Sequence, residues 1–190
     1  RRLSPILKMK TLCVTGHRPD SLPWKKNTES SLCKDFLLTL KENIKFAISN
    51  GYTHFIAGGA LGVDTLFALT VIELKAEGEN ITLEIAVPCK TQSKSWSEAN
   101  RNLYDYILSK ADEVTYLAEN YYVFCMQKRN EYMVNKSDCV LCCYNGKKSG
   151  GTYNTIKLAQ RMNKKLLHVQ ICEEPKNGGN QIIMFLDKIV

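Results

Sequence analysis

The chain has 190 residues, 44% hydrophobic and 24% charged, a composition that supports one compact core and excludes disordered tails and collagen-like repeats. No uninterrupted apolar run, Cys139 to Tyr144 included, exceeds six residues, far short of a membrane span, and the lack of a charged-then-apolar leader predicts that the chain is not secreted. Of the formal net charge of +7, residues 1–26 carry +6 and the remainder only +1, which favours a small anionic ligand near the first loop and argues against a nucleic-acid track along the folded body.

Residues 1–8 show no periodicity and read as an extension, so the expected domain runs over 9–190. Thr11 to Thr15 forms a first strand. Leu32, Phe36, Leu40, Ile44 and Ile48 then recur every four residues, an amphipathic helix begun by Ser30 or Ser31 and stopped at Gly51. A strand over Thr53 to Ala57 precedes a helix over Leu66 to Lys75, with Asp64 in its first turn. Ile81 to Val87 is the third strand, ended by Pro88, and the spacing predicts a helix over Trp96 to Lys110. A short strand over Glu113 to Leu117 and a helix over Phe124 to Asn135 follow. Asp138 to Tyr144, nearly all apolar, suits a parallel strand covered on both faces. A glycine loop, a helix over Thr152 to Asn163, a strand over Leu166 to Ile171, a polar connection over Glu173 to Asn180 and a closing helix over Gln181 to Val190 complete the chain. The alternation predicts an α/β fold: a single-domain, Rossmann-like, doubly wound and mostly parallel sheet with helices on both faces.

The eight cysteines read as thiols rather than as a disulfide framework, because Cys13, Cys139, Cys143 and Cys172 fall in apolar, β-branched runs. Cys139-x-x-Cys142-Cys143 lacks a matching second pair, and on a strand Cys142 and Cys143 point to opposite faces, so no metal site is expected. A reducing, cytoplasmic location follows.

In open α/β sheets, ligands bind beyond the carboxyl ends of the strands, where the strand order reverses. Three loops there are rich in small residues: Thr15-Gly16-His17-Arg18-Pro19, Gly58-Gly59-Ala60-Leu61-Gly62-Val63-Asp64 and Ser149-Gly150-Gly151-Thr152. Glycine lets backbone approach a ligand closely, and the two loops that run into helices present free N–H groups to an anion.

These three motifs, in this order and spacing, resemble the SLOG superfamily, specifically its YpsA/YoqJ-like branch, over essentially residues 11–171. The superfamily also includes the cytokinin-activating phosphoribohydrolases and the DNA-processing protein DprA. The resemblance implies a Rossmann-like fold that binds a nucleotide or nucleotide-derived small molecule, and a dimer formed through helical faces. It calls for no cofactor. Met126-x-x-Arg129-Asn130-x-x-Met133, followed by Ser137-Asp138, is similar to the phosphoribohydrolase segment that holds a catalytic Arg, which Arg129 matches. Those hydrolases place a Glu just beyond their glycine turn, whereas this chain has Tyr153, Asn154 and Thr155 there.

The expected ligand-binding set is Gly16, His17, Arg18, Gly58, Gly59, Gly62, Asp64, Trp96, Arg129, Gly150, Gly151 and Thr152. Gly150, Gly151 and Thr152 would cradle a phosphate, with Arg18 and Arg129 as counter-charges. Asp64 would hold ribose hydroxyls or equally stabilise a helix start. Trp96 would stack on a base or close over it, Trp24 would do so or cap the core, and Tyr121, Tyr122 and Tyr132 are expected to pack. His54 and His168 fall in strands as structural residues. Sensing or sequestration of the ligand is the primary expectation. The alternatives are N-glycosidic hydrolysis of nucleoside monophosphates, with Arg129 and Asp64 as catalytic candidates, and DprA-like binding of single-stranded DNA.

Overall fold

Six strands and five helices alternate along residues 9–171, the part of the chain that the computed structural model describes. They are β1 (Lys10–Gly16), α1 (Ser31–Ser49), β2 (Tyr52–Ala57), α2 (Val63–Ala76), β3 (Thr82–Val87), α3 (Glu98–Lys110), β4 (Glu113–Tyr116), α4 (Cys125–Lys136), β5 (Cys139–Tyr144), α5 (Gly150–Arg161) and β6 (Lys165–Gln170). A 3₁₀ turn, Pro19–Ser21, follows β1. The expected extension over 1–8, Cys172, the polar connection and the closing helix lie outside the described residues.

Every strand pair is parallel, in the order β4-β3-β2-β1-β5-β6. The chain therefore winds outward from β1 to β4 and returns to lay β5 against the other side of β1. That reversal puts the switch point between β1 and β5, where a doubly wound sheet opens a crevice. Helices α1, α2 and α3 cover one face over Leu12, Val14, Phe55, Leu83 and Leu141. Helices α4 and α5 cover the other over Cys13, Ile56, Val140 and Leu166. All six residues of β5 are buried, as two covered faces require. The seven cysteines among the described residues are free and buried. No helix among these residues is long and apolar enough to cross a membrane.

One buried charge on the α4 face needs explanation. Glu84 of β3 has no solvent exposure, yet it sits inside a shell of polar partners. It accepts from Tyr132 Oη at 2.7 Å, Lys136 Nζ at 2.8 Å and Thr115 Oγ1 at 2.9 Å, and His54 Nε2 lies 2.9 Å away. Tyr132 thus packs as the sequence suggests, and His54 is structural. His54, Glu84 and Glu113 bring their ligand atoms within 4.8 Å of one another. Lys136 already places its ammonium among them, 3.4 Å from Glu113 Oε1, and so supplies the positive charge.

Burial pushes the Glu84 carboxyl up, but His54, Lys136, Tyr132 and Thr115 outweigh it and hold the pKa at about 2. A carboxylate depressed in the fold stabilises it above the ordinary value near 4.5 and loses that contribution as pH falls toward about 2. Urea unfolding should therefore show stability falling between pH 4.5 and 2. Glu84→Gln should flatten that dependence and cost about 3 kcal/mol at pH 7.

Candidate functional site

A cavity of about 300 Å³ opens at the switch point. Its walls come from the end of β1 (Thr15 to Arg18), the β2–α2 loop (Ala60, Leu61, Asp64), α4 (Met126, Arg129, Asn130, Met133) and the β5–α5 loop (Lys147 and Ser149 to Thr152).

Two glycines let the first two loops touch. A Cβ on Gly16 would stand 2.5 Å from Val63 Cβ, and one on Gly62 would stand 2.5 Å from the His17 carbonyl oxygen. Gly62 also has φ +98°, a conformation that side chains disfavour. With both side chains absent, Val63 N–H donates to His17 O at 3.1 Å and locks the β1 loop onto the start of α2. This explains why α2 begins at Val63, three residues before the start read from the sequence.

Arg129 reaches from α4 into the same junction. Its Nη1 donates to the Gly58 carbonyl, its Nε donates to Asn130 Oδ1 at 2.7 Å, and Nη1 lies 3.6 Å from Asp64 Oδ2. A Cβ on Gly58 would collide with this guanidinium. Asn130 Nδ2 in turn donates to Thr155 Oγ1 at 3.0 Å, and Thr155 Oγ1 donates to Gly151 O at 2.9 Å. A single polar chain thus runs from the β2 loop through α4 to the first turn of α5.

The electrostatics divide in two. Arg129 and Asp64 are 5% and 8% exposed, so their charges face each other inside the wall. Burial pushes the Asp64 carboxyl up, against the pull of Arg129, the Ala60 N–H and Arg18. Burial also lowers the His17 pKa, so its imidazole is neutral. Asn145 N–H donates to His17 Nε2 at 3.4 Å, which leaves the ring proton on Nδ1. Arg18 and Lys147 are exposed and form no ion pair among the described residues. The first turn of α5 carries no side-chain cap, unlike α1 and α3, which Ser30 and Ser97 cap. A Cβ on Gly150 or Gly151 would meet nothing within 4 Å, so this turn faces open space.

Of the expected set, Gly16, His17, Arg18, Asp64, Arg129, Gly150, Gly151 and Thr152 converge on the cavity. Gly58, Gly59 and Gly62 lie behind its wall and shape it: Gly59 has φ +66°, and its carbonyl accepts from buried Gln92 Nε2 at 2.8 Å. Arg129 is on the wall, but its guanidinium engages Gly58, Asn130 and Asp64 instead of standing free as a counter-charge. Trp96 is elsewhere. It sits before α3 with its ring edge-on to Tyr104 at 5.3 Å, and Ser97 rather than Trp96 begins that helix as its cap. Trp24 is buried against Phe36 at 4.9 Å. Tyr121 and Tyr122 do not pack; they are 65% and 45% exposed beside exposed Val123 and Phe124. Sequence reasoning missed Lys147, Asn130 and Met126. Lys147 had a usable signal, a lysine between the end of a strand and a glycine turn.

The family model for YpsA, described as the YspA SLOG family, matches residues 12–173. A UPF0398 protein of Bacillus thuringiensis strain Al Hakam is 29% identical over 155 residues, covering 80% of this chain and 84% of its own. The solved structure of DprA from Streptococcus pneumoniae superposes with a TM-score of 0.56 at 16% identity, over 85% of this chain and 50% of that one. The chain thus spans about half the length of that protein. DprA from Helicobacter pylori, described for its single-stranded DNA binding mode, gives 0.54 at 19% identity over 84% of this chain and 64% of its own. At these identities the structural likeness shows the shared fold.

Removing Arg129 leaves the Asp64 charge buried without its partner. Arg129→Ala should cost about 3–5 kcal/mol in urea unfolding at pH 7. Combining it with Asp64→Asn should recover at least about 1 kcal/mol of that loss.

Proposed function

Because the chain belongs to the YpsA SLOG family, we propose that it binds a nucleotide or nucleotide-derived anion at the β1/β5 switch point, as a sensor or sequestering protein. The observation that carries this reading is the uncapped first turn of α5, open at Gly150 and Gly151, with exposed Arg18 and Lys147 lining the same cavity. Free N–H groups and the positive end of a helix favour a phosphate there, and two cations without an ion pair among the described residues add charge-assisted contacts. The Nδ1–H of neutral His17 supplies a further donor, and the buried Asp64 carboxylate an acceptor for sugar hydroxyls. Seven free, buried cysteines support a reducing compartment, the cytoplasm.

Binding without turnover fits the donor set. Breaking an N-glycosidic bond builds positive charge on the sugar, and a positioned carboxylate answers it. At the α5 turn the residue types are Tyr153, Asn154 and Thr155, and Thr155 is engaged with Gly151 and Asn130. The hydrolase reading keeps one favourable observation: Asp64 lines the cavity with its pKa raised by burial. Release of free base from AMP, GMP, CMP or UMP that disappears in Asp64→Asn would establish turnover. We expect no release at an enzyme-like rate.

Calorimetry with the same four monophosphates tests binding. At least one should bind, Arg18→Ala should weaken it about tenfold, and Gly151→Val should abolish it by filling the open turn. Equal affinity in both variants would remove the ligand from this turn. The exposed Tyr121, Tyr122 and Phe124 could stack on the bases of a single strand, so oligothymidine belongs in the same titration. Tight binding of the oligomer together with silence from the monophosphates would favour the nucleic-acid reading.

A further inference from the structure

A second cavity among the described residues lies on the other side of the Pro19–Ser21 turn. It measures about 660 Å³ and is enclosed by the loop after that turn, by α1 and α2, and by the start of α3. Leu22, Trp24, Leu37, Leu66, Leu69 and Leu103 make its walls. The loop that closes it is held in shape rather than draped. Lys25 N–H donates to Leu22 O at 2.9 Å, Asn27 N–H donates to Trp24 O at 2.8 Å, and Trp24 is anchored on Phe36.

The polar groups along this cavity are of two kinds. Those set into the wall are engaged within the fold: Thr65 Oγ1 donates to Ala60 O at 3.0 Å, Thr70 Oγ1 donates to Leu66 O at 2.8 Å, and Ser97 Oγ accepts from Asn100 N–H at 3.4 Å. Asn100 and Thr28 add polar side chains to the lining, but along the leucines and Trp24 a guest meets hydrocarbon, and exposed apolar walls are unfavourable in water. The charged groups stand around the opening. Both carboxylates hold a lysine, Glu29 with Lys34 at 3.2 Å and Glu73 with Lys41 at 2.8 Å. Lys25 and Lys26 have no carboxylate partner among the described residues. Among the described residues, the opening therefore has two positive charges left over.

We propose that this cavity is a second binding site, for a molecule with an apolar body and one anionic head, of the class of alkyl carboxylates. The body lies against the leucines and Trp24, and the carboxylate meets Lys25 and Lys26. The site is separate from the phosphate cradle, since of the lining residues only Leu61 is shared between the two cavities.

Trp24 reports on occupancy directly. The chain has two tryptophans, and in a Trp96→Phe background the tryptophan emission comes from Trp24 alone. Dodecanoate, titrated below its micelle concentration, should give a saturable change in that emission, while dodecyltrimethylammonium, with the same tail and the opposite head, should bind much more weakly. The double variant Lys25→Ala/Lys26→Ala, which alters exposed positions, should weaken dodecanoate roughly fivefold. Leu69→Glu, checked for folding by circular dichroism, should remove binding, and Arg18→Ala should leave it unchanged. Equal affinity for the two heads, indifference to the lysine pair, or an unsaturable response would overturn the proposal. So would a dimer, seen by sedimentation and dissociated by Leu69→Glu, that does not take up dodecanoate, because the wall would then belong to a second copy of the chain.

Discussion

The buried ion pair between Arg129 and Asp64 is the constraint on which the site depends. A guanidinium inside a wall is tolerable only when its charge is answered and its N–H groups are satisfied. The Asp64 carboxylate, the Gly58 carbonyl and the Asn130 side chain meet that demand. These partners lie on the β2–α2 loop, on α2 and on α4. Satisfying one cation therefore fixes the β2 loop, α4 and, through Asn130 and Thr155, the glycine turn of α5 in a single arrangement.

This arrangement separates two kinds of positive charge that the sequence cannot tell apart. Arg129 is used inside the fold and leaves little for a ligand, whereas Arg18 and Lys147 remain in solvent at the cavity wall. The cavity thereby combines a pre-formed shell with exposed cations, and the groups proposed to bind an anion at its centre are backbone N–H groups. Such a shell costs little reorganisation when a ligand enters. The glycines serve the same end by a different route. Gly16 and Gly62 are small because two segments of the chain press on them, while Gly150 and Gly151 face open space.

Much of this architecture was legible in the sequence, because doubly covered strands and four-residue helical spacing leave strong marks. Asp138 to Tyr144 reads as a strand covered on both faces, and all six residues of β5 are buried. What the pattern could not supply was whatever depends on contact between distant segments. Helix α2 begins three residues early because Val63 docks on Gly16, and α5 begins at Gly150 rather than Thr152 because a residue at φ +89° can open a helix. Trp96 lies against Tyr104, away from the switch-point cavity; a tryptophan in a polar stretch reads the same in sequence whether it faces a ligand or a neighbouring tyrosine. Tyr121 and Tyr122 looked like core by composition, yet they lie in the β4–α4 connection, where no layer covers them. Arg129 lies on the cavity wall, but the partners that neutralise it are 65 and 71 residues away in the chain and leave no local signal.

We propose that the backbone of the first α5 turn, flanked by Arg18, receives the anion. Amide chemical shifts of the isotope-labelled protein, followed during titration with a nucleoside monophosphate, test it most directly. The largest changes should fall on Gly150, Gly151 and Thr152, with smaller ones at His17 and Arg18 and little at Trp24. Changes centred on Trp24 and α1, or spread evenly along exposed lysines with the α5 turn silent, would contradict it.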